Sequence, residues 1–264
     1  MKKYLVIGNP INHSLSPELH NHWIKQNNIN ATYEKKKLND NELENLVSEI
    51  KQEKLSGANV TVPFKNTIIP YLDELSEDAK KTQAVNTIYL KNKKVVGHNT
   101  DIAGFEAAIK KINYNLDNKK IFILGAGGVV PSIVLASIRM GSSKIFISNR
   151  TKSKAEKIKD IFHDVQIINW GDLPYFDVVI NATSLGLNKH DKINLDFTKI
   201  GKNKLFYDVI YNPGETNFLS TGKKLGNTFE NGKLMFIYQA FLAFKLWHEV
   251  EPIINNETLE LLNQ

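Results

Sequence analysis

KIFILGAGGVV, at residues 120–130, combines an apolar strand pattern with a glycine-rich turn that opens a helix. Gly125, Gly127 and Gly128 allow a tight turn and let backbone N–H groups approach a pyrophosphate at the amino end of the helix. The third position of the G-x-G-x-x-G pattern holds Val130 instead of glycine, so the fingerprint is incomplete. The strand before the turn and the helix after it favour a dinucleotide site over a helix cap without a ligand.

The residues after the next predicted strand, at 143–148, indicate which dinucleotide is bound. NAD-binding proteins place Asp or Glu there to bond the ribose 2′-hydroxyl, whereas this chain has Asn149, Arg150, Thr151 and Lys154. Arg150 and Lys154 could clamp a 2′-phosphate through charge-assisted hydrogen bonds. The sequence therefore favours NADP over NAD, and the alternative is an exposed helix start with ordinary surface charge.

Outward from this turn, short β-type runs alternate with helical runs along the chain, which predicts an α/β fold with mostly parallel sheets. The second half has the order of a doubly wound nucleotide-binding unit. The predicted strands are 3–8, 32–37, 57–62, 87–90, 94–97, 120–124, 143–148, 165–168, 178–181 and 205–209. The predicted helices are 17–28, 41–52, 73–80, 100–111, 128–140, 152–162, 233–249 and 257–262.

Length and composition exclude several classes of protein. The chain has 264 residues, of which 42% are hydrophobic, so it can form the cores of two modest domains and is not expected to be disordered. It contains no cysteine, which excludes disulfides, thiolate metal sites and a cysteine nucleophile. The seven histidines show no paired metal-ligand spacing, so no metal is predicted.

Charge and hydropathy patterns concern partners and location. The net charge of +6 comes mostly from lysines spread along the chain, which favours small anionic ligands over a nucleic acid. Residues 121–138 carry no charge, but glycines and Pro131 break this stretch, so a membrane span is not predicted. The apolar run at 4–7 is too short for a signal peptide, and we expect a cytoplasmic protein.

Polar residues of the first half follow predicted strands, where ligands bind in open α/β sheets. Ser14 and Ser16 precede a helix, and Ser16 is expected to be its N-cap. The alternative is that both hydroxyls, with the free N–H groups of the helix, cradle a carboxylate. Lys65 follows the strand that carries Asn59 and Thr61 on one face, although a lone lysine is more often solvated than functional.

Three further polar residues lie in later turns and on the last long helix. Asn86 and Asp101 belong to small turns that combine amide, hydroxyl and carboxylate groups. Asp101 could equally be an acid that the dipole of the following helix stabilises. Gln239 lies among apolar residues of the helix at 233–249, so a buried position would require hydrogen-bond partners from a ligand or a neighbouring backbone.

Eight motifs in sequence order resemble those of the shikimate dehydrogenase family and extend over essentially the whole chain. They are Gly8–Pro17, Asn59–Lys65, Ala84–Thr87, Asn99–Asp101, Gly125–Gly128, Ser148–Thr151, Asn181–Ser184 and Gln239–Ala240. Each motif is weak alone, whereas eight at compatible spacing are specific. The resemblance implies NADP-dependent interconversion of 3-dehydroshikimate and shikimate, a step in chorismate and aromatic amino-acid biosynthesis.

The family resemblance also implies two α/β domains. An N-terminal substrate domain would comprise residues 1–100, completed by the carboxyl-terminal helices at 236–264. A Rossmann-type NADP-binding domain would comprise residues 101–235. We expect a small-molecule substrate as the partner, and a monomer or homodimer as the assembly.

The roles of individual residues are likewise implied by the resemblance. Lys65 and Asp101 would form the catalytic pair. The substrate carboxylate would be held by Ser14 and Ser16, and its ring hydroxyls by Asn59, Thr61, Asn86, Asp101, Tyr211 and Gln239. NADP would be bound by Glu77, Gly125, Ala126, Gly127, Gly128, Val129, Asn149, Arg150, Thr151, Lys154, Val209 and Gly232.

The chain departs from the family pattern in three places, and the same framework has two rival functions. Ile102 stands where Gly is common, Val130-Pro131 replaces smaller residues, and Lys154 replaces a frequent arginine, which weakens bidentate phosphate recognition. One rival is a quinate/shikimate dehydrogenase with relaxed substrate or NAD use, which Arg150 disfavours. The other is a non-catalytic NADP-binding regulator on the same fold, which the presence of Lys65 and Asp101 disfavours.

Overall fold

A computed structural model describes residues 1–263 of the chain. The chain forms two compact units: the first contains Met1–Gly104 and the residues from Ile237 onward, and the second contains Phe105–Phe236. Each unit is built on a six-stranded sheet with helices. The predicted α/β fold class is confirmed. Among residues 1–263, no helix has the length and apolar character needed to cross a membrane.

The first unit has a mixed sheet. Its strands are β1 (Lys2–Gly8), β2 (Ala31–Lys37), β3 (Gly57–Val60), β4 (Glu74–Leu75), β5 (Thr87–Lys91) and β6 (Lys94–His98), in the spatial order β2-β1-β3-β5-β6-β4. The pairs β1–β2, β1–β3 and β4–β6 are parallel, and β3–β5 and β5–β6 are antiparallel. Its helices are α1 (Ser16–Gln26), α2 (Leu43–Lys51), α3 (Glu77–Thr82) and α9 (Asn256–Glu260).

Two helices cross the division between the units, α4 (Asp101–Lys111) and α8 (Lys233–His248). The second unit adds α5 (Val130–Arg139), α6 (Lys152–Ile161) and α7 (Asn217–Lys224). Its strands are β7 (Lys120–Leu124), β8 (Lys144–Ser148), β9 (Gln166–Ile168), β10 (Val178–Asn181), β11 (Leu205–Asp208) and β12 (Thr228–Glu230), all parallel, in the order β12-β11-β10-β7-β8-β9. The strand order reverses between β7 and β10, which is where doubly wound sheets bind ligands.

The two faces of the first sheet bury different kinds of side chain. Because side chains alternate along a strand, Leu5, Ile7, Ala58 and Val60 share one face and pack with α2 in an aliphatic core. The opposite face is covered by an aromatic cluster formed by Tyr4, His20, Trp23, Tyr33, Phe244, Trp247 and His248. This cluster joins α1 and α8 to the sheet.

Gly57 explains how closely the aromatic cluster approaches the sheet. A Cβ atom at this position would lie 2.7 Å from Nε1 of Trp247. The same indole N–H donates to the carbonyl oxygen of Ile88 at 3.3 Å. Glycine in β3 therefore lets the Trp247 ring lie against the backbone of the sheet.

Most predicted elements agree with the structure within a few residues, and two larger boundary differences have physical causes. The strand at 57–62 ends at Val60, before the Val62-Pro63 turn, and Val62 is exposed. The predicted helix at 73–80 begins only at Glu77, because Glu74–Leu75 pairs with β6 and Ser76 caps the helix by accepting from the N–H of Ala79.

Helix α7 and strand β12 were not predicted from the sequence. Helix α7 contains Gly222, a residue that weakens isolated helices. In the fold, a Cβ at Gly222 would lie 2.5 Å from the Phe206 ring, so close packing on β11 requires glycine there. Tertiary contact therefore outweighs the local preference.

His20 provides a test of the aromatic cluster. Burial lowers the pKa of His20 from its ordinary value of 6.5 to about 3, with His248 acting in the same direction. Below pH 6.5 the unfolded chain takes up a proton that the folded chain does not. The contribution of His20 to the free energy of unfolding is therefore lost as pH falls from about 6.5 toward 3, at about 1.4 kcal/mol per pH unit.

On going from pH 7 to pH 5, we expect the free energy of unfolding of the wild type to fall by about 2 kcal/mol more than that of His20→Phe. The phenyl ring keeps the packing of the cluster but does not titrate. Denaturant titrations at the two pH values measure this difference, and His248 cancels because both proteins contain it. An equal loss of stability on acidification in both proteins would show that His20 is not held neutral.

Candidate functional site

The predicted polar residues of the first unit meet at one edge of its sheet. Ser14 and Ser16 follow the carboxyl end of β1, and Lys65 follows that of the neighbouring parallel strand β3. Asn86 precedes β5, whose first residue pairs with Asn59 in the antiparallel register. Antiparallel pairing thus brings the start of β5 to the edge where β3 ends.

A buried ion pair lies at the centre of this edge. The ammonium group of Lys65 donates to Oδ2 of Asp101, and the two residues are 7% and 4% exposed. Asp101 is the first residue of α4, where the helix dipole favours a carboxylate. Buried charges are stable only when they are paired and hydrogen-bonded, so the second carboxylate oxygen also requires a partner.

Asn86 supplies that partner. Its amide nitrogen donates to Oδ1 of Asp101 at 2.9 Å and to Oγ1 of Thr100 at 2.8 Å. Its amide oxygen accepts from the N–H of Thr100 at 2.8 Å. The backbone N–H of Asp101 donates to Oδ1 of Asn99 at 3.1 Å. The two carboxylate oxygens are therefore held by Lys65 and Asn86, while Asn99 fixes the backbone of Asp101.

The sequence reasoning did not select Thr87, Asn99 and Thr100 as site residues, yet all three are buried in this network. Asn99 donates to Oγ1 of Thr82 and to the carbonyl oxygen of Ala84, both at 3.0 Å. Buried amide and hydroxyl groups need partners. The run of polar residues at 98–101, between a strand and a helix, could have indicated Asn99 and Thr100 from the sequence.

Asn59 and Gln239 extend the network. The amide nitrogen of Asn59 donates to the carbonyl oxygen of Asn86 and to Oγ1 of Thr87, both at 3.1 Å. Gln239 lies on α8, with its amide oxygen 3.3 Å from the amide nitrogen of Asn86, whose two hydrogens already face Thr100 and Asp101. The structure thus brings together Lys65, Asp101, Asn86, Asn59 and Gln239. Thr61 lies just beyond β3, with its amide donating to the carbonyl oxygen of Ile7 at 2.9 Å.

The two serines are neighbours, but the expected N-cap is wrong. Ser16 is the first residue of α1 and Leu15 occupies the N-cap, and no side chain among residues 1–263 caps the helix. The hydroxyl of Ser14 instead donates to that of Ser16 at 3.2 Å and accepts from the backbone N–H of Ser16 at 3.3 Å. Both hydroxyls remain at the uncapped amino end of α1, as a carboxylate cradle would require.

In the second unit, the glycine turn has the geometry of an anion cradle. Gly125 has φ +110°, and a Cβ there would lie 2.7 Å from the carbonyl oxygen of Ala182. At Gly127 the nearest atom to an added Cβ is 4.0 Å away, so space is open beside the turn. The amide groups of Ala126, Gly127 and Gly128 donate no backbone hydrogen bond within residues 1–263.

Helix α5 begins at Val130, directly after this turn, with Val129 at its N-cap and no side-chain cap from the described part of the chain. Open space, unbonded amides and a positive helix end together suit a pyrophosphate. The turn lies after β7, at the point where the strand order of the sheet reverses. The residues present therefore fit a dinucleotide.

The predicted selectivity residues follow β8. Asn149 donates to the carbonyl oxygen of Thr151 at 2.7 Å, which shapes the turn before α6. Arg150, Thr151 and Lys154 are exposed. No carboxylate stands among residues 149–154, so the charge at this strand end favours a phosphate.

The remaining predicted site residues are placed as follows. Gly232 packs on the loop after β11, since a Cβ there would lie 2.1 Å from the carbonyl oxygen of Val209. Tyr211 stacks on Phe236 with ring centroids 4.3 Å apart. Glu77 is exposed on α3 and pairs with Lys80 at 2.9 Å. The described residues 1–263 contain no group of three or more His, Cys, Asp or Glu that could hold a metal.

A buried carboxylate in the second unit was missed by the sequence reasoning. Asp208 ends β11 and accepts from Asn181 Nδ2 at 3.1 Å, from the N–H of Ile210 at 3.0 Å and from Oγ1 of Thr216 at 2.7 Å. Burial raises its pKa to about 6. Asp208 therefore ties together the loops that follow β10 and β11.

Comparisons with known proteins place both units of the chain in one family. Residues 6–88 match the family model described as shikimate dehydrogenase substrate binding domain, and residues 106–208 match that described as shikimate / quinate 5-dehydrogenase. A shikimate dehydrogenase (NADP(+)) of Pelagibacter ubique is 55% identical over 99% of both chains. The chain belongs to the shikimate dehydrogenase family.

Solved structures of shikimate dehydrogenases also match over nearly the full length. That from Aquifex aeolicus has a TM-score of 0.92 at 35% identity, covering 100% of this chain and 98% of the other. The Listeria monocytogenes enzyme, in complex with shikimate and NAD, has a TM-score of 0.90 at 28% identity, covering 99% and 96%. The enzyme from Thermus thermophilus, in complex with NADP(H) and shikimate, has a TM-score of 0.88 at 27% identity, covering 100% and 98%.

The glycine turn generates a prediction about stability. In Gly125→Ala the new Cβ meets the carbonyl oxygen of Ala182 in a backbone conformation that alanine rarely adopts. We expect the free energy of unfolding to fall by about 1–3 kcal/mol. Gly226→Ala is the matched control, because Gly226 has φ +73° and no atom of the described residues lies within 4 Å of the added Cβ. Equal losses in the two variants, measured by denaturant unfolding, would contradict a close contact at Gly125.

Proposed function

We propose that this chain catalyses the reversible NADP-dependent reduction of 3-dehydroshikimate to shikimate, in chorismate and aromatic amino-acid biosynthesis. The observation that carries the proposal is the buried Lys65–Asp101 pair at the sheet edge, with Asn86 holding the carboxylate. A positioned cation beside polar amides suits a reaction in which a carbonyl oxygen gains negative charge. Membership of the family supports the same activity.

We assign the substrate carboxylate to Ser14 and Ser16. Their hydroxyls adjoin the uncapped amino end of α1, where N–H groups and the helix dipole favour an anion. The ring hydroxyls are assigned to Asn59, Thr61, Asn86, Asp101, Tyr211 and Gln239. Four of these, all but Thr61 and Tyr211, belong to the hydrogen-bonded network of the first unit. The proposed substrate domain, 1–100 with 236–264, contains all the assigned substrate residues except Asp101 and Tyr211.

Lys65 is the proposed proton donor. During reduction the ketone carbon receives a hydride and its oxygen becomes negative. Lys65, as an ammonium, stabilises that oxygen and transfers one proton to it, which leaves a hydroxyl and a neutral amine that solvent reprotonates. Asp101 holds the Lys65 nitrogen and orients the substrate hydroxyl. In the direction of oxidation, the neutral amine takes the proton from the hydroxyl.

Bound NADPH supplies the hydride for this reaction. We assign its pyrophosphate to the turn Gly125–Val129, whose unbonded amides and open space at Gly127 fit such a group. Asn149, Arg150, Thr151 and Lys154 are assigned to the adenosine 2′-phosphate end, and Glu77, Val209 and Gly232 to the remainder of the cofactor. The proposed NADP domain is 101–235. We further propose a cytoplasmic enzyme that works as a monomer or homodimer.

The rival with relaxed cofactor use has one specific observation in its favour, since a Listeria monocytogenes relative was solved with shikimate and NAD. The exposed Arg150 in this chain favours NADP. Absorbance of reduced nicotinamide decides between them, with shikimate or quinate as substrate and NADP or NAD as cofactor. We expect rapid reduction with shikimate and NADP. Comparable rates with quinate or NAD would support the rival, and NADP binding without turnover would support a regulator.

Arg150→Ala tests the assigned phosphate contact. Loss of a charge-assisted hydrogen bond to the phosphate should weaken the binding of NADP by about tenfold and leave the binding of NAD nearly unchanged. The ratio of kcat/KM for NADP to that for NAD measures this preference. Lys159→Ala, in the last turn of α6, is the control that removes a nearby charge. If both variants changed the ratio equally, Arg150 would act only through the general field.

Lys65→Ala tests the proton donor. Removing one positioned acid should lower kcat about a hundredfold or more, with a smaller effect on KM for shikimate. Lys94→Ala is the control, because it removes a lysine–carboxylate pair that is exposed. Thermal unfolding of both variants checks that the fold survives an unpaired Asp101. An unchanged kcat in folded Lys65→Ala would remove Lys65 from the mechanism.

A further inference from the structure

Tyr33 makes a buried hydrogen bond to a proposed substrate residue. It lies on β2, is 2% exposed, and its hydroxyl donates to Oδ1 of Asn59 at 2.7 Å. Tyr33 on β2 and Asn59 on β3 lie on opposite sides of β1, which separates these two strands in the sheet. No motif in the sequence selects Tyr33, since its role depends on a contact across the sheet.

The contacts of Asn59 define the orientation of its amide group. The side-chain nitrogen has two hydrogens, and its two acceptors are the carbonyl oxygen of Asn86 and Oγ1 of Thr87, both at 3.1 Å. A flipped amide would place its oxygen against the carbonyl oxygen of Asn86. In the observed orientation the Asn59 oxygen accepts from the Tyr33 hydroxyl. Asn59 is only 6% exposed, so this oxygen needs a donor from the protein.

The Tyr33 ring is itself held rigidly. It stacks on His20 with centroids 4.2 Å apart and planes at 1°, and Trp247 lies 6.0 Å away. Burial keeps His20 neutral by lowering its pKa, so the imidazole acts as an aromatic surface. A rigid ring places its hydroxyl more accurately than a flexible side chain does.

From Asn59 the hydrogen bonds continue to the ion pair. The hydroxyl of Thr87 accepts from Asn59 at 3.1 Å and donates to Oδ1 of Asn86 at 3.0 Å. Asn86 then donates to Asp101 at 2.9 Å. Tyr33 therefore belongs to a continuous buried chain of hydrogen bonds that reaches the Lys65–Asp101 pair.

We propose that Tyr33 is a positioning residue for substrate binding, which acts by fixing the side-chain amide of Asn59. The inference rests on the proposed function, in which Asn59 contacts a ring hydroxyl. Tyr33 lies on the side of Asn59 that faces the aromatic cluster, and it acts on substrate only through that amide. Its removal should therefore affect KM for shikimate more than kcat.

Tyr33→Phe deletes only the hydroxyl oxygen and keeps the stacked ring. We expect KM for shikimate to rise about five- to tenfold, the scale of one buried hydrogen bond, while kcat changes less than about twofold and KM for NADP stays constant. Tyr4→Phe is the matched control. Tyr4 is equally buried in the same cluster, but its hydroxyl bonds to Ser56. An equal rise in both variants, or none in Tyr33→Phe, would overturn the proposal.

A double-mutant cycle identifies the route of the effect. If Tyr33 acts through Asn59, Tyr33→Phe should raise KM for shikimate no further in an Asn59→Ala background. If the increases in KM from the two substitutions multiplied in the double variant, Tyr33 would act by another route and the proposal would fail.

A readout without turnover separates this proposal from the proposed function. The side-chain amide NMR signal of Asn59, assigned by its loss in Asn59→Ala, should shift in Tyr33→Phe and stay in place in Tyr4→Phe. If the wild type failed to oxidise shikimate, the proposed function would fall, and this signal would still decide whether Tyr33 fixes Asn59. An unmoved signal in Tyr33→Phe would refute the positioning role.

Discussion

The buried Lys65–Asp101 pair imposes the constraint on which the first unit depends. A buried carboxylate needs hydrogen bonds in addition to its ion pair, so Asp101 requires Asn86, and Asn86 in turn bonds Thr100 and Thr87. These partners come from turns that the antiparallel β5–β6 hairpin returns to the edge where β1 and β3 end. The mixed sheet is thus the arrangement that brings them together.

The second unit meets a related constraint without a cation at its centre. Asp208 is buried among hydrogen-bond donors from Asn181, Ile210 and Thr216, and burial raises its pKa to about 6. These hydrogen bonds offset the cost of removing the carboxylate from water, and they link the loops that follow β10 and β11. Close backbone approaches at Gly125 and Gly232 fix neighbouring turns of the same sheet edge. Polar satisfaction and glycine packing together shape this edge.

The aromatic cluster shows how packing on one face of a sheet can serve chemistry at its edge. His20, Trp247 and Tyr33 bury a large apolar area, which stabilises the docking of α1 and α8. Within it, the Tyr33 hydroxyl is directed to Asn59. Because interiors are close-packed, a ring held on several sides can hold a polar group in place. Fold stability and orientation of the polar edge therefore share the same residues.

The sequence by itself determined the α/β class, the glycine turn with its strand and helix, and the strand-end positions of Lys65, Asn86 and Asp101, since these follow from local periodicity and backbone preference. Only the tertiary structure decided which polar groups meet. The partners of Asn59 are Tyr33, Asn86 and Thr87, distant in the chain and joined by strand register. Helix α7, with Gly222 against Phe206, and the burial of Asp208 likewise depend on contacts that no local pattern encodes.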